Sequence, residues 1–326
     1  MRNRHYQGPA SDHFDGNRFF VPGHPMPNTL RGLLRWQFGG DKRARWPLQV
    51  PSPFEDRPPP RSDELRVALI GHASFLVQVA GLNILIDPVF SERVSPFSRI
   101  GPKRVNAPGI RFEALPPIDF VLVSHAHYDH LDSVSLARLE AAFHPRFVCP
   151  LGNDGIIAKA TRAPSRIVAR DWGEEVDAGQ GVGIHLRPSY HWSARGLHDR
   201  RMQLWCAFVL TTPQGTLYHI ADTGYGDGGF FRQVKAEFGT LRLAHIPIGA
   251  YEPRWFMSTM HVNPEESVRI LADCGARQAI GHHWGTFQLT NEAHGQPEQD
   301  LAAARAAQGL SPDRFVAFRP GQVWSG

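Results

Sequence analysis

The sequence predicts an α/β fold in which two layers of β-sheet are covered by helices. From residue 66 onward, "RVALIGHASFLVQVAGLNILIDPVF" contains three short apolar runs separated by turns that contain glycine. Further apolar runs of strand length recur along the chain, and stretches with helical spacing lie between the later ones. This order, with strands first and then strands mixed with helices, is typical of a sheet core with helices outside it.

Residues 1–62 differ in composition from the rest of the chain. They are rich in proline, glycine and arginine, and the stretch "VPSPFEDRPPPRSDE" leads into the first apolar run. We expect an extended arm with one short helix near "LRGLLRWQFG". The arm would pack on a main domain that comprises residues 63–326.

The elements of the main domain follow in chain order. After the first three strands, "DFVLVSHAH" predicts a fourth, and "LDSVSLARLEAAFH" predicts a helix with Asp132 as its N-cap. Later strands are predicted at "VGIHLRPS", "QLWCAFVLTT", "GTLYHIAD", "LRLAHIPI" and "RQAIGHH". Helices are predicted at "GFFRQVKAEFG", "NPEESVRILADCG" and "EQDLAAARAAQ". In the second of these, Asn263 would be the N-cap and Pro264 the first helical residue.

Composition places the chain among globular proteins. It has 326 residues, 42% hydrophobic and 20% charged, and no apolar run long enough to span a membrane. The N-terminus lacks the apolar segment of a signal peptide, so we expect a cytoplasmic protein. The net charge of +4 comes without a block of basic residues, and we expect no nucleic-acid partner. The three cysteines are far apart and odd in number, which predicts buried core residues rather than disulfides.

The stretch "SHAHYDH", residues 124–130, is the strongest functional signal. On an extended chain the side chains of His125 and His127 point the same way, so both can reach one metal ion. Asp129 and His130 follow as the chain turns and would face a second position nearby. Imidazole and carboxylate ligands suit zinc, and also iron or manganese. The alternative is a solvated loop, but three histidines and one aspartate within six residues make a chance run improbable.

Further ligands are expected at other strand ends. His191 lies in "RPSYHWSARG", Asp222 in "YHIADTGYGDG", and His282 and His283 in "QAIGHHWGTF". Each has an alternative, since a lone histidine is often a hydrogen-bonded surface or core residue and Asp222 could cap a turn. The recurrence of a strand, then His or Asp, then glycine favours a metal site.

These motifs resemble those of the metallo-β-lactamase-fold hydrolases. Within that superfamily, the chain is similar to the N-acyl-phosphatidylethanolamine-hydrolysing phospholipases D and their bacterial relatives. The similarity covers residues 65–290 and rests on "IGHASFLVQVAGLNILIDPVFSERVSPF", "GPKR", "SHAHYDHLD", "HWSARG", "ADTGY", "HVNPEES" and "HWGTF", with "DHFDGNRFF" nearer the start. It implies a four-layer αββα sandwich, in which two mixed β-sheets pack face to face with helices outside.

The resemblance also implies two metal ions, expected to be zinc, with iron or manganese as alternatives. One ion would be held by His125, His127 and His191, the other by Asp129, His130 and His283, and Asp222 would bridge them. His283 takes the last position, rather than His282, because it directly precedes "WGTF". Asp129 and Asp222, together with His261, are the predicted catalytic residues.

Four residues are expected around the ions. Asp87 and His72 would contact the ligands rather than the ions, as partners of metal-bound histidines usually do; Asp87 could instead form a turn before Pro88. His261 precedes a capped helix whose N-terminus attracts anions, and would bind substrate. A hydrogen bond within its own loop is the alternative for His261. Tyr128 would border the substrate, with packing as its alternative.

The implied activity is that of a phosphodiesterase of phospholipase D type acting on N-acyl-phosphatidylethanolamine-like lipids. A water molecule shared and deprotonated by the two ions would attack the phosphorus atom. No G-x-S-x-G motif is present, which agrees with metal rather than serine chemistry. A phospholipid or small-molecule substrate, peripheral contact with a membrane and a homodimer are expected. The alternatives are a lactonase of the same superfamily, including a sugar-phosphate lactonase, and a metal-binding sensor without turnover.

Overall fold

The computed structural model of the protein describes residues 2–25, 30–40, 42–97 and 99–326. Within these ranges the strands form two seven-stranded sheets. The first sheet consists of β1 (Arg66–Gly71), β2 (Ser74–Val79), β3 (Leu82–Ile86), β4 (Phe120–Leu122), β5 (Arg146–Pro150), β6 (Ile167–Arg170) and the last strand of the chain, β14 (Val323–Ser325). The second sheet consists of β7 (Glu175–Gly179), β8 (Val182–Arg187), β9 (Ala207–Thr211), β10 (Leu217–His219), β11 (Leu241–Pro247), β12 (Ala276–His282) and β13 (Phe315–Ala317).

The two sheets repeat one pattern of strand pairing. Their orders are β14-β1-β2-β3-β4-β5-β6 and β13-β12-β11-β10-β9-β8-β7. In the first sheet β14 to β3 pair antiparallel and β3 to β6 pair parallel. In the second, β7 to β10 pair antiparallel and β10 to β13 pair parallel. As a result β1, β3 and β4 run in one direction within their sheet, and β8, β10 and β12 run in one direction within theirs.

Helices cover the outer faces of both sheets. The helices of the described residues are α1 (Leu30–Phe38), α2 (Ser133–Phe143), α3 (Asp154–Thr161), α4 (Gly229–Phe238), α5 (Arg254–Met257), α6 (Pro264–Cys274) and α7 (Gln296–Ala307). Residues of α2 and α3 pack with the first sheet, and residues of α4, α6 and α7 pack with the second. Among the described residues, no helix combines the length and the apolar character needed to cross a bilayer.

Strand β1 of the first sheet is buried on both faces. Val67 and Leu69 belong to the core between the two sheets, where they join Phe208 of β9. Ala68 and Ile70, which alternate with them, belong to the core beneath α2 and α3. Because successive strand residues point to opposite faces, one strand supplies both cores. The architecture is therefore four layers, helices, sheet, sheet and helices, and the predicted αββα sandwich is confirmed.

The predicted elements of the main domain are confirmed, with small shifts at their ends. The side chain of Asp132 accepts a hydrogen bond from the N–H of Val134 and caps α2. Asn263 caps α6 in a reciprocal capping box with Glu266, and Pro264 is the first helical residue. Elements that the sequence did not predict are β5, β6, β7, β13, β14, α3 and α5.

The N-terminal segment packs on the sandwich through aromatic side chains. Phe14 and Phe19 are each 1% exposed and belong to the core beneath the helices of the second sheet. The predicted short helix is α1, in which Trp36 donates a hydrogen bond to the side chain of Asn291. Met1, residues 26–29 and residue 41 of the predicted arm lie outside the described residues. The division of the chain at residue 62 stays a prediction.

Candidate metal centre

The predicted site residues meet at one edge of the sandwich. Because β1, β3 and β4 run the same way, their C-terminal ends lie at the same edge of the first sheet, and the C-terminal ends of β8, β10 and β12 share an edge of the second. The residues that follow these ends are His72, Asp87 and residues 124–130 from the first sheet, and His191, Asp222 and His283 from the second. The strand directions thus bring together residues that lie far apart in the sequence.

Their donor atoms form three groups, in each of which the atoms lie within 4.8 Å of one another. The groups are His125, His127, His191 and Asp222; His72, Asp129, His130 and His283; and Asp222, His261 and His283. The first contains every ligand predicted for one ion. The second contains the three ligands predicted for the other ion, with the addition of His72.

The two oxygen atoms of Asp222 face different groups. Its Oδ2 lies 3.7 Å from His125 Nε2 and 3.5 Å from His191 Nε2. Its Oδ1 lies 3.2 Å from His130 Nε2 and 3.0 Å from His283 Nε2. A carboxylate placed in this way can bind one cation with each oxygen, which is the arrangement required of a bridging ligand.

In the first group the imidazole nitrogens face one another. His127 Nδ1 lies 2.9 Å from His125 Nε2 and 3.3 Å from His191 Nε2. The other nitrogen of two of these rings is anchored outside the group. His191 Nδ1 donates to the carbonyl of Met260 at 3.0 Å, and His125 Nδ1 lies 2.9 Å from Ser124 Oγ. Such outer hydrogen bonds direct the lone pair of Nε2 inward, as in protein metal sites.

In the second group a carboxylate lies among three imidazoles. Asp129 Oδ2 is 3.1 Å from His72 Nε2, 3.6 Å from His130 Nε2 and 3.3 Å from His283 Nε2. Three atoms that face this group, His130 Nε2, His283 Nε2 and Asp222 Oδ1, are buried without a hydrogen-bond partner. Leaving one such atom unpaired costs about 1–3 kcal/mol, so their convergence calls for a cation. The nitrogen and carboxylate donors fit two divalent ions of the zinc type.

Burial controls the charge of these side chains. It lowers the pKa of His127 to about 4, and burial together with the neighbouring imidazoles lowers that of His125 well below its usual value. Both rings are therefore neutral, which is the form that binds metal. Burial acts in the same direction on His283, but Asp222 and Asp129 outweigh it and raise the pKa of His283 to about 9. Asp222 and Asp129 thus attract positive charge to the ring of His283.

Asp87 orients residues of the cluster through hydrogen bonds to His130 and Ser124. It is fully buried, and its Oδ2 accepts hydrogen bonds from His130 Nδ1 at 2.7 Å and from Ser124 Oγ at 2.5 Å. Its Oδ1 accepts from the N–H of Ser124 at 2.7 Å. Ser124 also contacts His125, and sequence reasoning did not single it out. The available signal was its position, directly before the histidine cluster at the end of a strand.

The chain adopts left-handed backbone conformations at three points of this edge. The φ angles are 55° at His72, 42° at Asp87 and 63° at His283. Such values are uncommon outside glycine and cost about 1–3 kcal/mol each. The N–H of His283 donates to the carbonyl of His72 at 2.9 Å, which joins two of these points across the sheets. A Cβ atom at Gly249 would lie 2.2 Å from the carbonyl oxygen of His283, so only glycine fits beside it.

Three other predicted residues occupy different surroundings. His282 donates from Nε2 to the carbonyl of Ile220 at 2.9 Å, so it is His283 that faces the carboxylates. His261 Nε2 lies 4.0 Å from Asp222 Oδ2, while its Nδ1 is buried without a partner. Tyr128 donates its hydroxyl proton to the carbonyl of Arg195 at 3.0 Å and lines a separate surface pocket. Its contacts are those of the packing alternative.

The chain is similar to proteins of a known family. Residues 82–284 match a family model described as "Beta-lactamase superfamily domain". The chain is 37% identical to N-acyl-phosphatidylethanolamine-hydrolyzing phospholipase D 1 of Caenorhabditis elegans over 268 residues, which cover 78% of this chain and 74% of that protein. The chain belongs to the metallo-β-lactamase superfamily. Its predicted similarity to the phospholipase D group is confirmed by the same match.

One further relative and one solved structure are similar to this member of the metallo-β-lactamase superfamily. An uncharacterized protein of Mycobacterium tuberculosis is 34% identical over 83% of this chain and 73% of its own. The crystal structure of "a possible metal-dependent hydrolase" from Veillonella parvula superposes with a TM-score of 0.63 at 14% identity, over 80% of this chain and 99% of that one. The second similarity shows the shared fold. The relatives include the named phospholipase D and a protein of Pyrobaculum neutrophilum named as a metal-dependent hydrolase, which is 29% identical over 79% of this chain, and the protein is accordingly a metal-dependent hydrolase.

A cavity of about 260 Å³ opens over the metal centre of this hydrolase. His127, Asp129 and Asp222 line its polar end. The remaining wall is largely apolar and includes Trp36 of α1 and Phe256 of α5. A substrate that reaches the carboxylates therefore passes an apolar surface built partly by the N-terminal segment.

Proposed function

We propose that the protein is a phosphodiesterase of the phospholipase D type that hydrolyses N-acyl-phosphatidylethanolamine-like lipids to an N-acylethanolamine and a phosphatidic acid. The similarity to a nematode protein of that named activity, over about three quarters of both chains, carries the proposal. The donor groups support it, because together they contain every ligand predicted for a dinuclear site.

We propose zinc as the metal, with iron or manganese as alternatives. The ions, when bound, would activate a water molecule and neutralise the charge of the phosphate. The protein's own residues would position the ions and orient the side chains that bind them. Asp222 would set the separation of the two ions, and Asp87 and the carbonyl of Met260 fix the orientation of His130 and His191.

Covalent catalysis by cysteine has no support in the described structure. All three cysteines are buried. Burial raises the pKa of Cys149 and of Cys206 well above the usual value, and that of Cys274 to about 12. Because the thiolate is the nucleophilic form, none of them is activated. Hydrolysis by a metal-activated water agrees with this arrangement.

The walls of the cavity suit a lipid. Met257, Met260 and Leu289 add to its apolar surface, which an acyl chain could contact. His261 lines the same cavity close to Asp222, where it can contact the polar part of a substrate. We therefore propose that the phosphate lies toward the carboxylates and the acyl groups toward α1 and α5.

Exposed apolar side chains beside the cavity support peripheral contact with a membrane. Leu34 and Phe38 of α1 are 50% and 83% exposed, and Trp255 of α5 is 39% exposed. Arg35 lies over the ring of Trp255, with its guanidinium carbon 4.3 Å from the ring centre. A short helix that carries basic and exposed apolar residues is typical of binding at a lipid interface. Leu33 and Trp36, on the same helix, line the cavity.

The test is a hydrolysis panel with purified, metal-loaded enzyme. It contains an N-acyl-phosphatidylethanolamine in mixed micelles, a chromogenic phosphodiester, a lactone and a β-lactam, with metal content measured on the same sample. We expect release of the N-acylethanolamine, detected by mass spectrometry, and its loss in the Asp222→Asn variant. Absence of turnover on both phosphodiesters contradicts the proposal, and preferential opening of the lactone would assign the protein to the lactonases instead.

A further inference from the structure

An arginine stands in the wall of the cavity above the metal centre. Arg200, in the loop that follows β8, lines this cavity together with Asp129 and Asp222. Its guanidinium carbon lies 4.4 Å from the ring centre of Trp192. Trp192 in turn meets the ring of His127 edge to face at 4.7 Å. The guanidinium is thus separated from a predicted metal ligand by a single aromatic ring.

The loop that carries Arg200 is held in place on both sides. The neighbouring Asp199 is 2% exposed, and its Oδ1 accepts hydrogen bonds from the N–H groups of Arg195 and Gly196 at 3.1 and 2.7 Å. Its Oδ2 accepts from the side-chain amide of Gln203 at 3.1 Å. Since the turn is fixed and the guanidinium stacks on an aromatic ring, little side-chain entropy remains to be lost when a ligand binds.

The surroundings of Arg200 favour an anion. Burial lowers its pKa, and the positive charges of Arg201 and Arg18 lower it further, while the guanidinium remains charged. Among the cavity-lining residues in the described part of the chain, Arg200 is the only lysine or arginine. The planar fork of a guanidinium matches the oxygens of a phosphate and binds them more strongly than neutral donors do.

We propose that Arg200 binds a non-bridging phosphate oxygen of the substrate and selects phosphodiesters over neutral esters and lactones. The inference rests on the proposed function and adds the basis of substrate choice. A phosphodiester carries a negative charge that the guanidinium can pair with, whereas a lactone offers no charged oxygen at that position. Trp192 is then a positioning residue, because it sets the plane of the guanidinium.

The experiment compares Arg200→Gln and Arg200→Lys with a matched control. The control is Arg277→Gln, which changes an exposed arginine near the start of β12, at the opposite end of that strand from His283. Two quantities are measured on metal-loaded protein. One is the affinity for inorganic phosphate by calorimetry, and the other is kcat and KM for a chromogenic phosphodiester and for a neutral ester with the same leaving group.

We expect Arg200→Gln to weaken phosphate binding and lower kcat/KM for the phosphodiester by about 10- to 100-fold, as for a lost charged hydrogen bond. The neutral ester should change by less than about twofold, since it makes no such bond. The phosphate affinity and the phosphodiester kcat/KM of Arg200→Lys should lie between those of the wild-type protein and those of Arg200→Gln. Lysine keeps the positive charge but lacks the planar fork of donors. Arg277→Gln should behave like the wild-type protein.

Wild-type phosphate affinity in Arg200→Gln, or a wild-type protein that does not bind phosphate, overturns the inference. Equal losses on the anionic and the neutral substrate also overturn it, since they indicate a structural role. If the wild-type protein cleaves no phosphodiester while Arg200→Gln still weakens phosphate binding, the proposed function fails and the assignment of Arg200 stands.

Discussion

Replacing Asp87 by asparagine should weaken metal binding more than it weakens the fold. The amide would place an NH₂ group where Oδ2 now accepts from His130 Nδ1 at 2.7 Å. Two donors cannot face each other at that distance. The conflict is relieved when His130 moves its proton from Nδ1 to Nε2, the nitrogen that faces Asp222. That tautomer lacks the lone pair with which His130 would bind the ion.

The contacts of Asp87 give the expected size of two losses in this variant, the loss of metal affinity and the loss of folding stability. A hydrogen bond to a charged group contributes about 1.5–3 kcal/mol, and outer partners of metal ligands typically change affinity by about 10- to 100-fold. We expect the affinity of Asp87→Asn for zinc to be lower than that of the wild-type protein by a factor in this roughly 10- to 100-fold range. The metal-free fold should lose only about 1 kcal/mol, because the amide oxygen still accepts from the N–H of Ser124. Asparagine also tolerates the left-handed backbone at Asp87.

The assay is competition for zinc with a chromophoric chelator, combined with thermal unfolding in the presence and absence of EDTA. The matched control is Asp132→Asn, which changes a buried carboxylate whose partners are Ser91, Val134 and Ser135 rather than a predicted ligand. The control should lose stability and keep its zinc affinity. Wild-type zinc affinity in Asp87→Asn, or an equal loss in the control, would refute the tautomer argument.

Phe38→Asp should slow turnover of lipid vesicles several-fold yet spare a soluble phosphodiester, because this side chain is 83% exposed beside the cavity; equal losses would exclude membrane contact. Burial lowers the pKa of His13, but hydrogen bonds to Asp171 and Asp12 outweigh it and hold the pKa above its usual 6.5. The contact of protonated His13 with Asp171 and Asp12 is therefore fully stabilising below about pH 6.5, and it weakens as the pH rises through the raised pKa of His13 in the folded protein. Limited proteolysis of the N-terminal segment should be faster at the higher pH, and His13→Gln should remove the difference. Asn263→Ala should lower the free energy of unfolding by about 1 kcal/mol in urea titrations while metal content stays unchanged; no loss would show that the cap of α6 contributes nothing.

Local signals predicted most of the fold. The caps at Asp132 and Asn263 and the alternating or wholly apolar runs each act within a few residues, so they can be read from the chain alone. The missed strands lack such signals. β5 is five residues long and buried over its last four, without alternation, and β13 and β14 have three residues each. β14 forms by pairing with β1, which lies far from it in the sequence. A run of three residues carries no local signal of such a pairing.

The candidate site was predicted as a set of residues but not as a geometry. Adjacent residues at a strand end point to opposite sides, which separates His283 from His282, and the motif after them indicated which one to choose. Sequence could not show that the two oxygens of Asp222 face different groups, since this depends on the packing of one sheet on the other. Nor did it single out Arg200, whose place in the cavity depends on a folded loop.

The distribution of the donor groups between the sheets has a consequence for how the enzyme could be divided. Apart from β14, the first sheet comes from residues 66–170 and the second from residues 175–317. Among the described residues, the two four-membered donor groups each draw on both stretches, whereas the group formed by Asp222, His261 and His283 lies within the second. A chain cut between β6 and β7 would give two fragments, each with a sheet and its own helices. Recovery of hydrolysis on mixing them would then show whether the two sheets associate in the arrangement that completes the four-membered donor groups.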